Sequence, residues 1–324
     1  MYQYEELKEI VNRAINNMSY DYENDRLYEP VRYLMSLGGK RIRPVITLMA
    51  CNVFKEKVEK AILPAIGLEV FHNFTLVHDD IMDSSDMRRG SATVHKKWNV
   101  NQAILSGDVM VFIANECMMN APQPVLKEVM KVYNETAIEV CAGQQMDMDF
   151  ENTSFVSHTD YLRMIELKTA VLLAASLKLG AIIGGADNEE SEKMYNFGRN
   201  LGLAFQIQDD LLDTYGDPKI FGKNVGSDIV FNKKTILLIK ALELASGNQL
   251  KKLNEQLQLD EFDRQEKIAV VKEIFDRLNI RSAVENMAKQ YTDLAYTAFD
   301  DVKAENIRKE ELRKLASNLV NRSK

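Results

Sequence analysis

The sequence predicts an all-α fold, built as one domain of helices packed around a central core. Gly and Pro supply only 15 and 6 of the 324 residues, about half of their usual share of roughly 12%, so long elements run without breaks. Apolar residues recur at steps of three and four in most windows, and no segment shows the sustained alternation that is typical of a strand.

The predicted helices follow one another with turn-forming residues between them. Apolar spacing predicts helices over 61–81, 161–183, 193–213, 268–280 and 284–297. Gly, Pro, Asn and Asp clusters predict breaks at 38–39, 121–124, 184–188, 216–218 and 246–248. None of these breaks resembles a flexible linker and no short-period repeat is present, so we expect a single domain over residues 1–324.

The charge of the chain limits its partners. The chain has 41 Lys and Arg against 48 Asp and Glu, a formal net charge of −7. The long-range field of an acidic protein has the wrong sign for nucleic acid or anionic membranes. We therefore expect no nucleic-acid partner, and any phosphate-bearing ligand must be held by local basic groups or by metal.

Neither the cysteines nor the N-terminus is typical of an exported protein. Cys51, Cys117 and Cys141 form no CxxC pair and are expected to be reduced thiols in the core. The first residues, MYQYEELKEI, are acidic and amphipathic, unlike a signal peptide. No run of 18 or more apolar residues occurs, so we expect no stable membrane insertion and a cytoplasmic protein.

Two acidic motifs carry the strongest functional signal. Both have the pattern DDxxD, at Asp79, Asp80 and Asp83 and at Asp209, Asp210 and Asp213. Residues four apart share one helix face, and carboxylates beside apolar segments are costly unless cations neutralise them. Oxygen-only ligands favour a hard ion, magnesium before zinc, and the spacing does not fit an EF-hand calcium loop. The alternative is a solvated acidic helix face, which is common for one such motif but not for two.

Four basic clusters could supply contacts to diphosphate. The most compact is GGKRIRP at 38–44, where the glycines permit close backbone approach and Lys40 and Arg43 can bind phosphate. The other three are Arg88-Arg89, Lys168-Thr169, and Lys223 with Lys233. Each alone is more typical of a solvated surface charge. His72, two helical turns before Asp79, is either a core histidine or a hydrogen-bond donor at a diphosphate site.

In order along the chain, the motifs GGKRIRP, HDDIMDSSDMRRG, LKTA, FQIQDDLLD, GSDI and NKKT resemble those of the trans-type polyprenyl synthetases, the farnesyl and geranylgeranyl diphosphate synthase family. The resemblance runs from about residue 38 to 235, and as a set the motifs are highly specific. It implies an isoprenoid-synthase-type bundle, usually a homodimer, with two Asp-rich helices facing across a deep central cavity. It also implies a prenyltransferase that condenses isopentenyl diphosphate with dimethylallyl, geranyl or farnesyl diphosphate.

The resemblance further implies a role for each motif residue. Magnesium, expected as three ions per active site, would be held by Asp79, Asp83 and Asp209, with support from Asp80, Asp210 and Asp213. Isopentenyl diphosphate would be bound by Lys40, Arg43, His72 and Arg89. The allylic diphosphate would be bound by Arg88, Lys168, Thr169, Gln206, Lys223 and Lys233. No member of the set is missing, which argues against an inactive paralogue.

The implied reaction depends on charge neutralisation and requires no protein nucleophile or redox cofactor. Magnesium and cationic side chains would stabilise charge on the departing diphosphate, and the isopentenyl double bond would then attack the allylic cation. The freed diphosphate can accept the proton that leaves. The residues expected to act in catalysis are Asp79, Asp80, Asp83, Arg88, Lys168, Asp209 and Lys223.

Other activities share part of this pattern. A terpene cyclase has the first acidic motif, but its second normally mixes Asn, Ser or Thr, and Glu, and it does not need GGKRIRP. A head-to-head synthase would also lack the isopentenyl site. A partner-dependent subunit of a heteromeric synthase is expected to have lost motif Asp or Arg residues, and none is lost here.

Side chains on the first acidic helix are expected to set product length. Phe71, Phe74 and Thr75 precede Asp79 by eight, five and four residues, and eight residues rise about 12 Å along a helix. In the family, an aromatic five positions before the motif is typical of short products, while Thr75 departs from the double-aromatic floor of some farnesyl-forming members. We expect a farnesyl or geranylgeranyl product, with the longer one favoured. The alternative is that Phe71 and Phe74 are ordinary core residues.

Overall fold

The computed structural model describes residues 1–19, 24–217 and 225–320, and these are almost entirely helical. The helices are α1 Tyr4–Asn16, α2 Asp25–Ser36, α3 Ile42–Phe54, α4 Glu59–Met82, α5 Val94–Lys97, α6 Val100–Met118, α7 Leu126–Glu151, α8 His158–Ile165, α9 Val171–Gly184, α10 Asn188–Tyr215, α11 Ser227–Val230, α12 Ile236–Leu244, α13 Gly247–Leu257, α14 Arg264–Arg277, α15 Ile280–Asp300 and α16 Asn306–Val320. The all-α prediction is confirmed, and each predicted helix is found within a few residues of its expected ends.

Two local features of the structure were not predicted from the apolar periodicity. A π-helical turn over Glu166–Ala170 joins α8 to α9 inside the predicted 161–183 helix. A short hairpin also pairs strand β1, Met87–Arg88, with strand β2, Ser91–Ala92. Strands of two residues are too short to show an alternating pattern, so the sequence did not indicate them.

The chain divides into two compact units. The first comprises Met1–Glu135, Ala175–Tyr195 and Val302–Leu315. Within it, α3 is so apolar that an unbroken run from Pro44 to Val53 is buried, and α3 and α6 both pack against α4. This packing fixes α4, whose last turn carries the first acidic motif.

The second unit comprises Thr136–Ala174, Asn196–Asp301 and Ala316–Lys324. Its core gathers buried apolar side chains from α8, α10, α12, α14 and α15. From α10 it takes Leu203, Ile207 and Leu211, which recur every four residues on one helix face. That buried stripe anchors the helix that carries the second acidic motif. Whether the chain forms one domain, as we expected, stays a prediction.

Two helical segments, Glu59–Met82 and His158–Gly184, are long and apolar enough to cross a membrane by length and composition alone. Of the most apolar part of each, 61% and 83% is buried in the structure. Core helices pass the same test, so this is weak evidence for a membrane span.

The prediction of core thiols holds for Cys51 and Cys117 but is wrong for Cys141, which is exposed. In α7 the buried position is taken by Val140. The next residue points about 100° further round a helix, so Cys141 faces away from the core.

Candidate active site

The first acidic motif lies at the C-terminal end of α4. Asp79 is in the last turn, and Asp83 is the exposed C-cap residue whose N–H donates to the Asp79 carbonyl at 2.8 Å. A helix C-terminus carries partial negative charge, which disfavours carboxylates and favours a nearby cation. The end of α4 is therefore suited to bind a positive ion.

The middle carboxylate of this motif is used differently. The Asp80 side chain is only 3% exposed and accepts hydrogen bonds from Arg88, from Nη2 at 2.6 Å and from Nε at 3.0 Å. Arg88 lies on β1, and the hairpin turn that follows is made by Arg89 and Gly90, both at positive φ, as a tight two-residue turn requires. Arg88 therefore holds the helix end, while Arg89 donates to the Gly38 carbonyl.

The GGKRIRP segment folds as its glycines suggest. Gly38 and Gly39 have φ of 72° and 137°, and a Cβ on Gly39 would lie 3.0 Å from the guanidinium carbon of Arg89. Glycine permits both the left-handed backbone and this close approach. Arg41, a non-glycine residue, is also left-handed, with φ of 49°.

A cavity of about 390 Å³ lies beside this segment in the first unit. It brings together all four residues predicted to bind isopentenyl diphosphate; its polar lining includes Lys40, Arg41, Arg43, Glu69, His72 and Arg89. The Nε atoms of Arg41 and Arg43 are buried without a hydrogen-bond partner among the described residues. Buried polar groups are nearly always paired, so these two donors are exceptions. The charge of the lining, with Lys40, Arg41, Arg43 and Arg89 against the single carboxylate of Glu69, favours an anionic ligand.

The electrostatics of the cavity fit an anion. Burial, and then the neighbouring guanidinium groups beginning with Arg43 and Arg89, holds the pKa of His72 well below its usual value. The His72 ring is therefore neutral at pH 7 and acts as a hydrogen-bonding group rather than a cation. Burial also lowers the pKa of Arg43, which Glu69 opposes.

In the second unit, the second acidic motif lies near the C-terminal end of α10. Asp209 is exposed, whereas Asp210 is buried and accepts hydrogen bonds from the Tyr161 hydroxyl and from the Ile236 N–H at 3.2 Å. Burial raises the pKa of Asp210 to about 7, against the opposing effect of the Tyr161 hydrogen bond. Asp213 accepts from the Asp228 N–H at 2.9 Å. The motif thus presents Asp209 and anchors its other two carboxylates.

Lys168 and Thr169 lie on the π-helical turn. Such turns are frequent at functional sites, and this one is packed tightly: a Cβ on Gly143 of α7 would lie 2.3 Å from the Lys168 backbone nitrogen. Lys168 Nζ is 2.5 Å from an Asp147 carboxylate oxygen. Thr169 Oγ1 donates to Gln206 at 3.4 Å, so the turn brings three predicted binding residues of this unit near one another.

Two further cations, Lys233 and Lys223, were predicted to bind the allylic diphosphate. Desolvation lowers the pKa of Lys233, but carboxylates led by Asp228 and Asp210 outweigh it and raise that pKa overall. Its Nζ lies 3.9 Å from Asp228. Lys223 lies outside the described residues.

Two of the three predicted chain-length residues, Phe71 and Phe74, are aromatic and contact each other on α4. Phe71 is 2% exposed and lies 5.4 Å from Phe74, ring centre to ring centre. Phe71 also meets Tyr133 of α7 edge to face at 5.6 Å. The Thr75 hydroxyl donates to the His72 carbonyl at 2.8 Å. Phe74 is half-buried and is therefore the less buried of the two rings.

The donor set fits magnesium better than a closed metal cage. Along 1–19, 24–217 and 225–320, no three His, Cys, Asp or Glu side chains lie together as a ready-made metal group. Magnesium commonly takes only one or two protein carboxylates and completes its shell with water and substrate phosphates. Asp79 and Asp83, four residues apart at one helix end, can supply that number.

Several residues of these sites were not predicted from the sequence. Glu69 of α4 lines the basic cavity and accepts a hydrogen bond from Asn73, Asp147 pairs with Lys168, and Tyr161 donates to Asp210. One signal was available for Glu69, a carboxylate in the otherwise apolar stretch AILPAIGLEVF, since charged residues are rarely buried without a partner. Nothing in the local sequence marks the other three.

Comparison with known proteins gives a consistent result. The polyprenyl synthetase family model matches residues 24–295. A geranylgeranyl diphosphate synthase of Methanosarcina mazei is 42% identical over 72% of each chain, and a geranylfarnesyl diphosphate synthase of Natronomonas pharaonis is 40% identical over 73% of this chain and 74% of its own. A crystal structure of a geranylgeranyl pyrophosphate synthase superposes with a TM-score of 0.94, at 40% identity over 100% of both chains. The chain therefore belongs to the polyprenyl synthetase family.

Proposed function

We propose that this protein is a short-chain trans-prenyl diphosphate synthase. As a prenyltransferase it condenses isopentenyl diphosphate with an allylic diphosphate, and its product is geranylgeranyl diphosphate. The observation that carries the proposal is the basic cavity, whose lining brings Lys40, Arg43, His72 and Arg89 together. Family membership and the two DDxxD motifs support the same conclusion.

The cavity also favours this activity over that of a terpene cyclase. A cyclase consumes one diphosphate substrate, whereas a condensing enzyme must hold two. No residue of either acidic motif lines the cavity. The cavity is therefore an anion site separate from the proposed metal site at those motifs. Arg43 can bind a diphosphate through two parallel hydrogen bonds, and Lys40 contributes a point charge.

The residues act mainly by charge and position. The bond between the allylic carbon and the diphosphate oxygen breaks, and the electron pair stays on oxygen. Lys168, Lys233 and Arg88 stabilise the negative charge that develops on this leaving group. The isopentenyl double bond supplies the pair that forms the new carbon–carbon bond, and the released diphosphate accepts the proton that is lost. The cavity residues orient the isopentenyl group for this attack.

We propose magnesium as the cofactor, with three ions per active site. Asp79, Asp83 and Asp209 would hold it, and when bound it neutralises the diphosphate and promotes its departure. Asp80, Asp210 and Asp213 keep the helix ends in place. Lys223 and Gln206 complete the proposed allylic site.

We propose a homodimer formed through one face of α6. Leu105 and Phe112 of α6 and Met119, the residue that caps its C-terminus, recur every seven residues and are 57%, 69% and 60% exposed. Such a spacing places them along one stripe. Exposed apolar side chains in such a stripe are stabilised when a partner buries them, and we propose that the partner is a second copy of the chain. Sedimentation velocity on wild type and Phe112→Glu tests this: a monomeric variant is expected.

We also propose that residues 1–324 act as one domain in the cytoplasm.

One incubation series tests the function. Purified protein receives magnesium, isopentenyl diphosphate and, in turn, dimethylallyl, geranyl or farnesyl diphosphate, and products are identified by chromatography. We expect chain elongation in each case where the starter is accepted, ending at twenty carbons. Absence of elongation with all three starters would contradict the proposal.

A further inference from the structure

One carboxylate lies among the cations of the basic cavity. Glu69 of α4 is 2% exposed, and its Oε1 lies 2.7 Å from Nη1 of Arg41, whose side chain is only 3% exposed. Arg41 Nη2 also donates to the Met35 carbonyl at 2.5 Å. The Arg41 guanidinium is therefore fixed from two sides inside the protein, although Arg41 was not among the predicted ligands.

Fixation of the Arg41 side chain matters because the Arg41 backbone has an unfavourable conformation. With φ of 49°, Arg41 occupies the left-handed region, which non-glycine residues adopt only when their surroundings hold them there. Arg41 lies between Lys40 and the start of α3 at Ile42, and Arg43 follows. A change in the Arg41 backbone would redirect the side chains on both sides of it.

Glu69 is also linked to Arg89, another residue of the cavity lining. Asn73, one turn further along α4, donates to Glu69 Oε1 at 3.2 Å. The Asn73 Oδ1 atom accepts a weak hydrogen bond of 3.5 Å from Nη1 of Arg89. Glu69 thus connects to Arg41 directly and to Arg89 through one amide.

We propose that Glu69 is a positioning residue for isopentenyl diphosphate binding. Its carboxylate holds Arg41 in the left-handed conformation, so that Lys40 and Arg43 keep the directions needed to bind the diphosphate, and through Asn73 it steadies Arg89. This inference rests on the proposed function. It assigns to Glu69 no contact with substrate.

The sign of the effect separates this role from a simple countercharge. A carboxylate that only offset the cations would weaken diphosphate binding, and Glu69→Gln would then lower the KM for isopentenyl diphosphate. If Glu69 positions its neighbours, Glu69→Gln raises that KM by about tenfold or more, the range for losing well-directed charge-assisted hydrogen bonds. The KM for farnesyl diphosphate should stay within about twofold, because that substrate binds elsewhere.

Titration calorimetry with isopentenyl diphosphate gives a readout that is independent of turnover. Wild type and Glu69→Gln are compared with Glu190→Gln, a matched control. Glu190 is also buried, at 5% exposure, and pairs with Lys193 at 2.8 Å, but it does not line the cavity. Weaker binding in Glu69→Gln alone is expected. Unchanged or tighter binding in that variant, or equal weakening in the control, would overturn the inference.

A second variant covers the risk that Glu69→Gln leaves Arg41 charged and unpaired and so unfolds. In Arg41→Gln/Glu69→Gln both charges are removed, so the thermal midpoint should recover. The KM for isopentenyl diphosphate should stay raised, because the left-handed backbone has lost its anchor. Return of that KM to the wild-type value would overturn the positioning role. Failure of wild type itself to bind isopentenyl diphosphate would instead overturn the proposed function, and this inference with it.

Discussion

Arg88 forms a two-atom ion pair with Asp80, with its Nη2 2.6 Å and its Nε 3.0 Å from the same carboxylate oxygen. In the second DDxxD motif, Asp210 is likewise buried and accepts the Tyr161 hydroxyl. In both motifs, then, the second carboxylate is anchored by a side chain from another element. The first or last carboxylate of a motif can therefore take a different role from the second, and one such carboxylate in each motif, Asp83 and Asp209, is exposed.

Because the second carboxylate is anchored by Arg88, substitutions at Asp79 and Asp80 should change different properties, the catalytic rate in one case and the stability in the other. Asp79→Ala should lower kcat by about a hundredfold or more, with little change in stability. Asp80→Ala should lower the free energy of unfolding by about 2 kcal/mol, because it leaves Arg88 without its buried partner. Urea denaturation and steady-state rates on both variants check this. Wild-type turnover in Asp79→Ala would refute its metal role.

Magnesium binding should depend on diphosphate. Since Asp79 and Asp83 supply only part of a coordination shell, calorimetric titration should show weak binding of magnesium alone and much tighter binding with inorganic pyrophosphate present. Asp83→Ala should abolish the gain. Asp108→Ala, which removes another exposed carboxylate, of α6, serves as the control and should retain it. Tight binding of magnesium without diphosphate would contradict this prediction.

His72 should make stability fall on acidification. Its pKa is depressed in the folded protein, so below the unfolded value of about 6.5 the unfolded chain binds more protons. The free energy of unfolding should therefore drop by up to about 1.4 kcal/mol per pH unit as pH falls from 6.5. His72→Asn should show a shallower slope between pH 7 and pH 5 in urea denaturation. Parallel slopes for the two proteins would exclude a lowered pKa of His72 in the folded protein.

Phe74 should limit product length. Phe74→Ala removes the less buried ring of the Phe71–Phe74 pair, so the variant should make products longer than those of wild type. Phe74→Tyr keeps the ring and should leave the length unchanged. Chromatography of the dephosphorylated products compares the three proteins. An unchanged distribution in Phe74→Ala would remove Phe74 from the floor of the tail pocket.

The long helices could be predicted because each has a face that must be buried. Leu203, Ile207 and Leu211 give α10 its period, and the breaks at glycine clusters follow from backbone preferences. The DDxxD carboxylates were predicted by residue type and spacing alone. Their different environments were not, because burial of Asp80 and Asp210 depends on partners distant in sequence.

Other features depend on contacts that no local pattern encodes. The π-helical turn at Lys168 fits against a backbone surface that Gly143 leaves open. The left-handed Arg41 depends on Glu69, which is 28 residues away. The gathering of Lys40, Arg43, His72 and Arg89 was expected from the family resemblance rather than from periodicity.

The central claim is that the protein joins two diphosphate substrates, and one measurement tests it most directly. Farnesyl diphosphate is incubated with carbon-13-labelled isopentenyl diphosphate and magnesium, and the product mass is determined. The account predicts a twenty-carbon diphosphate that contains one labelled five-carbon unit and forms only when both substrates are present. Consumption of farnesyl diphosphate without incorporation of label would contradict it.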